Sequence, residues 1–225
     1  MTAYEIPAKL LPENEADRIN ALHQYEILDT PSETGFDALA LLAAGIFESK
    51  HAHICFVDQE NVHYKANTDN SAPAITSRKD SLCALSIMNN HTTVLKNDLK
   101  LPEEIIFYAA APISNEQGFV LGSIAVTDNK PHEQVTDQQL KMLEMLAALV
   151  MEKLETRLAE QKTAMTYNDR LRTLAHDIKN PVTSISLYAQ LLSSKEMNSE
   201  KVFSMASRIE TSVKRIEEKL NNLFM

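Results

Sequence analysis

The feature that most limits the fold is a doubled apolar stripe in the last quarter of the chain. From Leu171, apolar residues fall at Leu174, Ile178, Pro181, Ile185, Tyr188 and Leu192, in alternating steps of three and four. A second run follows at Val202, Met205, Ile209, Val213 (or Ser212), Ile216, Leu220 and Leu223. Such steps put each run on one side of an α-helix, as the seam of a coiled coil. The polar SSKEMN between them holds Asn198, which with the adjoining Ser199 offers a helix N-cap. Two helices joined so closely form an antiparallel hairpin. One hairpin leaves its stripe in water, whereas two hairpins close a four-helix bundle, so the sequence predicts a homodimer.

The rest of the 225 residues has a different character. Residues 1–160 hold 12 basic against 24 acidic side chains, and residues 161–225 hold 10 against 7. The acidic part is a poor surface for nucleic acid, and the tail is too weakly basic to suggest one. No window approaches the roughly 20 apolar residues that span a bilayer. The start, MTAYEIPAKLLPENEADR, lacks the basic and greasy run of a signal peptide. A cytoplasmic protein without membrane or nucleic-acid partners is expected. Two cysteines, Cys55 and Cys83, are too few for a disulfide framework and read as buried free thiols.

The acidic part alternates helix and strand signals. EADRINALHQYEIL (15–28) has helical spacing at Ile19, Leu22 and Tyr25. Thr30, Pro31 and Glu33 resemble a capping box opening a second helix, with proline at its first position. AHICFVDQENVHYKAN reads as a hairpin, SRKDSLCALSIM as a helix and TTVLKND as a strand. FYAAAPISNEQGFVLGSIAVTD is a hairpin turning at Asn115 to Gly118. Thr136, with Gln139 three residues on, caps a long helix. Its stripe runs through Leu140, Leu143, Ala147, Val150 and Leu154 and weakens through Leu158, Gln161 and Met165. Helices flanking an antiparallel sheet make an α+β domain.

Two constellations carry possible chemistry. His51, His53 and Cys55 share a face of one strand and His63 lies on the next, a set that could hold zinc. The simpler reading is a polar strand edge, with solvated histidines and a half-buried Cys55, and no metal is expected. In LRTLAHDIKNPVTSISLYAQLL (171–192), His176 lies about 200° from both Leu174 and Ile178 around the helix and points into water. Arg172, Thr173, Lys179 and Asn180 surround it, a polar and partly cationic face suited to a phosphoryl group. Imidazole is largely neutral at pH 7 and can act as a nucleophile without a strong base. Pro181 cannot donate to the carbonyl of Asp177, so the helix should bend or loosen one turn beyond the histidine.

DRINALHQYEILDTPSETGFDALALLAAGIF, VDQENVHYKA, FYAAAPI and LGSIAVTD together resemble the GAF domains of bacterial signalling proteins. The resemblance covers residues 14–155. It implies a six-stranded antiparallel sheet with helices on one side and a pocket on the other for an unknown small-molecule or protein signal. Some relatives carry a bilin on a pocket cysteine followed by histidine; Cys83 is followed by Ala84, so no such cofactor is expected.

LAHDIKNPVTSI resembles the phosphoacceptor box of sensor histidine kinases, a likeness covering residues 167–225. It implies that His176 is phosphorylated, that Asp177 is the general base, and that Asn180 positions phosphate or an attacking water. Neighbouring helix positions diverge, so the role of Asp177 rests on the resemblance rather than on spacing. The partners it implies are a response regulator receiver domain and an ATP-binding kinase domain, acting in cis or in trans.

The four glycines, Gly35, Gly45, Gly118 and Gly122, all precede the box, so nothing after it can wrap a triphosphate. The chain alone should not autophosphorylate; ATP and Mg2+ belong to a kinase domain outside it. The expected organisation is an N-terminal tail (1–13), a GAF sensor domain (14–155), a connecting signalling helix (156–166) and a dimerisation and phosphoacceptor domain (167–225). This reads as the sensory part of a two-component histidine kinase, a fragment or a chain of that lineage. Two alternatives are an ATP-independent phosphotransfer or phosphatase protein, and a GAF binding module on an inert dimerisation stalk.

Overall fold

The computed structural model describes residues 11–88, 90–96, 105–194 and 198–221. Most of the expected N-terminal tail, the middle of the SSKEMN loop and Leu223 lie outside them. The chain divides into two compact units, residues 1–158 and 159–225. Among the described residues no helix is long and apolar enough to cross a membrane.

The first unit is built on six antiparallel strands: β1 (His51–Val57), β2 (Asn61–Asn67), β3 (Ile75–Ser77), β4 (Thr93–Leu95), β5 (Phe107–Ser114) and β6 (Val120–Asp128). They lie in the order β3-β2-β1-β6-β5-β4. The central strands β1, β5 and β6 are apolar almost throughout because both faces are covered. One face carries Ile54, Phe56, Ala109 and Ile124 against helices α1 (Glu15–Gln24) and α2 (Thr34–Phe47), together with the start of α4 (Asp137–Ser194). Leu143, Ala147, Val150 and Leu154, the stripe read from the sequence, are buried in this core. The opposite face carries Cys55, Val57, Val62 and Tyr108 under a 3-10 turn (Arg78–Asp80) and the single-turn α3 (Cys83–Ser86). The helix expected over 77–88 is therefore two short turns. The strand β3 has no apolar alternation to announce it.

Both expected hairpins form. In the second, Gly118 closes the turn at φ +82°, and its N–H donates to the carbonyl of Asn115 at 2.9 Å. Gly122 on β6 is required for a different reason. A Cβ there would sit 1.9 Å from the Cys55 carbonyl oxygen and 2.9 Å from Phe56 Cα, both backbone atoms of the paired strand. Gly122→Ala should destabilise the domain by about 1–3 kcal/mol, the usual cost of overpacking. Urea unfolding followed through β1 and β6 amides would show it, and an unchanged midpoint would contradict this pairing.

The capping box at Thr136 forms as expected: the Gln139 N–H donates to Thr136 Oγ1 at 3.2 Å, and the Thr136 N–H to Gln139 Oε1 at 3.0 Å. The one expected at Thr30 does not. Helix α2 starts at Thr34, and Glu33 at its N-cap makes no side-chain cap bond. Thr30 and Glu33 serve a buried cation instead. Lys65 Nζ donates to Thr30 Oγ1 at 2.7 Å, to the Pro31 carbonyl at 2.6 Å and to Glu33 Oε1 at 2.7 Å. Lys65 sits at a bulge in β2, where the register slips opposite Ile54 and Cys55 and turns the side chain to the helical face. Arg157 of α4 shares the same Glu33 oxygen at 3.0 Å and also holds the carbonyls of Tyr25 and Glu26, just past the end of α1.

A second buried network joins α1 to the sheet. Arg18 is 1% exposed, donates to the Val57 carbonyl at 2.7 Å and pairs with Glu15 at 2.8 Å. Glu15 also holds Arg78, buried on the 3-10 turn. Burial alone would raise the Glu15 carboxyl, but its bonds to the two guanidinium groups outweigh burial and hold it below its usual range.

The second unit is a hairpin of the later part of α4 and of α5 (Ser199–Asn221). Asn198 caps α5, its Oδ1 accepting the Lys201 N–H at 3.1 Å. Tyr188 with Arg208 and Asp177 with Lys219 bond across the pair, which fixes an antiparallel register. Leu174, Ile178, Pro181, Ile185, Tyr188 and Leu192 on α4 are partly covered, as are Met205, Ile209, Ser212 and Ile216 on α5. These are expected seam positions, with Ser212 in place of Val213, whereas Leu171, Val202 and Leu220, also read into the seam, are exposed. No described α5 residue is fully buried. Helix α4 runs unbroken through Pro181.

Candidate functional site

His176 stands on the outer face of α4 with its side chain 73% exposed. The nearest acid is its neighbour: Asp177 Oδ1 lies 3.7 Å from His176 Nδ1, closer than divergence of adjacent helix positions suggests. Asp177 is also not simply solvent-facing. Its side chain is 31% exposed, and its Oδ2 accepts a 2.6 Å hydrogen bond from Lys219 Nζ on α5. Lys219 thus clamps one carboxylate oxygen while the other stays beside the imidazole. Sequence reading missed this lysine because it lies 42 positions away; the antiparallel register is the signal that pairs the two. Asn180, one turn on, is exposed, and its carbonyl accepts the Ser184 hydroxyl at 3.2 Å. Thr183 likewise donates to the Lys179 carbonyl at 2.8 Å, so hydroxyls bond the backbone around Pro181.

The Lys219 hydrogen bond, then its charge, holds the Asp177 carboxyl below its usual range. Lys219→Met should raise the Asp177 titration midpoint towards the ordinary value near 3.9. Its carbon-13 carboxyl resonance would report the change, and an unmoved midpoint would mean that the pair does not form in solution.

The first unit brings together a different set of residues from the one the sequence suggested. Antiparallel register opposes His63 to Phe56, so His63 faces the helices, 3.3 Å from Asp29. His51 lies 3.8 Å from Asp69. His53 and Cys55 do share a face, but neither is solvated or half buried: they are 8% and 0% exposed. Their companion is Cys83 of α3, 1% exposed, whose Sγ hydrogen-bonds His53 Nε2 at 3.2 Å. Cys55 Sγ lies 3.4 Å from Ser123 Oγ. Burial pushes the Cys55 thiol up, whereas the bond from Cys55, then His53, holds the Cys83 thiol well below its usual range. The buried Tyr108 hydroxyl, raised first by burial and then by the two thiols, has no hydrogen-bond partner among the described residues. His53 also lines a cleft of about 440 Å³ with Tyr64, Asn67, Asp69, Thr76 and Asp128.

Comparison with known proteins matches both units. Residues 31–154 match the GAF domain family, and residues 168–225 match the His Kinase A (phospho-acceptor) domain. The chain belongs to the GAF domain family and carries a His Kinase A phosphoacceptor domain after it. It is 27% identical over 156 residues to the cyclic di-GMP phosphodiesterase PA2567 of Pseudomonas aeruginosa, over 64% of this chain and 26% of that protein. The match thus spans about a quarter of that relative's length. Among solved structures, it resembles a domain described as part of a two-component sensor histidine kinase from Sinorhizobium meliloti. Identity there is 16% and the TM-score 0.48, over 59% of this chain and 97% of that one. It also resembles the type II free methionine-R-sulfoxide reductase of Thermoplasma acidophilum, at 14% identity and TM-score 0.45, over 55% and 92% of the two chains.

Proposed function

We propose that the chain is the sensory and phosphoacceptor part of a cytoplasmic two-component histidine kinase. In this reading the GAF domain controls phosphorylation of His176, and the phosphoryl group then passes to a response regulator receiver domain. The observation that carries the reading is the exposure of His176 beside Asp177, inside a segment that matches the phosphoacceptor family. An exposed imidazole can be reached by both an ATP-binding domain and a receiver, and in this reading Asp177, 3.7 Å away, closes on the ring to orient it and take up its proton. Asn180, exposed one turn on, is suited to hold phosphate or a water. ATP and Mg2+ act in the kinase domain, in cis or in trans. The test is to supply the purified chain with such a domain and labelled ATP. Acid-labile, base-stable label should appear on the chain and move to a receiver domain, whereas the chain alone should stay unlabelled. A chain that cannot be labelled by any kinase domain of this type or by a phosphorylated receiver would sink the proposal.

The working form is a homodimer through residues 167–225, because the seam is half covered within one hairpin. Ile209→Glu places a charge in that seam and should shift the protein to monomer at micromolar concentration. Sedimentation reads the outcome, and a wild-type monomer under the same conditions would contradict the bundle.

A further inference from the structure

We infer that His53, Cys55 and Cys83 form a site for a soft divalent metal ion of the zinc class. The three ligand atoms, Nε2 and two Sγ, lie within 4.8 Å of one another, and all three residues are buried. Zinc binds thiolate at about 2.3 Å and imidazole at about 2.0–2.1 Å, so tetrahedral ligands stand roughly 3.5–3.8 Å apart. The three donors therefore reach one ion by small side-chain rotations. They come from β1 and from α3, which packs on that strand, so the fold itself converges them.

Charge selects the ion. Two thiolates and a neutral imidazole carry −2, and a divalent ion brings the site to neutrality. A monovalent ion would leave a net charge among Val57, Val62, Ile87 and Val120, which form the surrounding core. Soft sulfur with imidazole is a donor set for zinc and not for calcium or magnesium. The outer contacts fit as well. Ser81 Oγ accepts the Cys83 N–H at 3.2 Å, Ser123 Oγ lies against Cys55, and the Tyr64 ring meets His53 edge-on at 5.2 Å between centroids. Three protein ligands leave a fourth position open, as in zinc sites that take water or substrate. Tyr108 adds a buried hydroxyl without a partner on the same face of the sheet. His53 lines the cleft, which gives the site a way in from solvent.

The test uses the full chain, reduced and stripped with a chelator, then titrated with Co2+ and Zn2+. Because the chain has only two cysteines, any thiolate-to-cobalt charge-transfer absorption must come from Cys55 and Cys83. Wild type should show that absorption saturating at one ion per chain and lose it when Zn2+ is added. Cys55→Ser and Cys83→Ser should each remove about half of the intensity. Each should also weaken zinc binding by more than the roughly 10- to 100-fold that loss of an outer contact costs. His63→Ala should change nothing, since that ring faces the helices. Should a serine variant fail to fold by circular dichroism, the wild-type stoichiometry and band intensity still decide. Absence of the charge-transfer band in wild type, or its persistence in a folded double serine variant, overturns the proposal. An equal loss in His63→Ala overturns the ligand set. The readout is metal binding alone, so it stands or falls separately from the phosphoacceptor reading.

Discussion

In a preparation supplied with an ATP-binding kinase domain, His176→Ala should abolish acid-labile phosphorylation. The expectation is all-or-none because the face around His176 offers arginine, lysine, threonine and asparagine but no second imidazole. The substitution leaves folding within about 0.5 kcal/mol of wild type, since a side chain 73% exposed has little packing to lose. Loss of label therefore reads chemistry and not unfolding. Asp177→Asn keeps the shape and removes the proposed base, and loss of such a base should slow transfer by about 10²–10⁴-fold. Phosphoamino-acid analysis checks the first outcome and initial rates check the second. Full labelling of His176→Ala would end the phosphoacceptor assignment, whereas an Asp177→Asn protein with wild-type rate would cost only Asp177 its role.

The second large effect lies in the sensor domain. Glu15→Gln should destabilise it by up to the roughly 3–5 kcal/mol that removing one partner from a fully buried ion pair costs, reduced because Glu15 itself is 17% exposed. Glutamine has the same shape, so no cavity forms; what is lost is the negative charge that Arg18 and Arg78 share. Hydrogen exchange of the β1 and β6 amides is the measure, because Arg18 holds the Val57 carbonyl at the end of β1. The pH dependence follows from the same contact. The Glu15 carboxyl titrates lower folded than unfolded, so its contribution is fully present above the unfolded value near 4.5 and is lost as pH falls through the lower folded value. Acid sensitivity in that window should flatten in Glu15→Gln. Equal stability of the two proteins at pH 7 would show that the guanidinium groups are solvated.

The seam, the two hairpins and the acceptor helix were legible because their signals are local and periodic. Leu174 to Leu192 needs only a helix to become a stripe, and Thr136 meets Gln139 one turn away. What escaped notice depends on register and on long separations. Spacing alone groups His63 with His53 and Cys55, whereas pairing with Phe56 turns it to the other face. Cys83 joins them from 30 residues on, through a helix of a single turn. Nothing local in the sequence marks Arg18, Lys65 and Arg78 as buried; only the fold brings Glu15 and Glu33 to meet them. The same holds for Thr30, whose apparent capping role yields to the ammonium group of Lys65.

The absence of fully buried side chains along the described part of α5 has a consequence for how the two units respond to dilution. The sheet carries its own core, so its unfolding is an intramolecular equilibrium, indifferent to protein concentration. A hairpin that completes its core with a second copy obeys mass action, and its melting temperature rises with each tenfold increase in concentration. Dilution should then loosen the acceptor helices while the sheet keeps its protection, and a thermal scan of this one chain should separate into one transition that moves with concentration and one that does not.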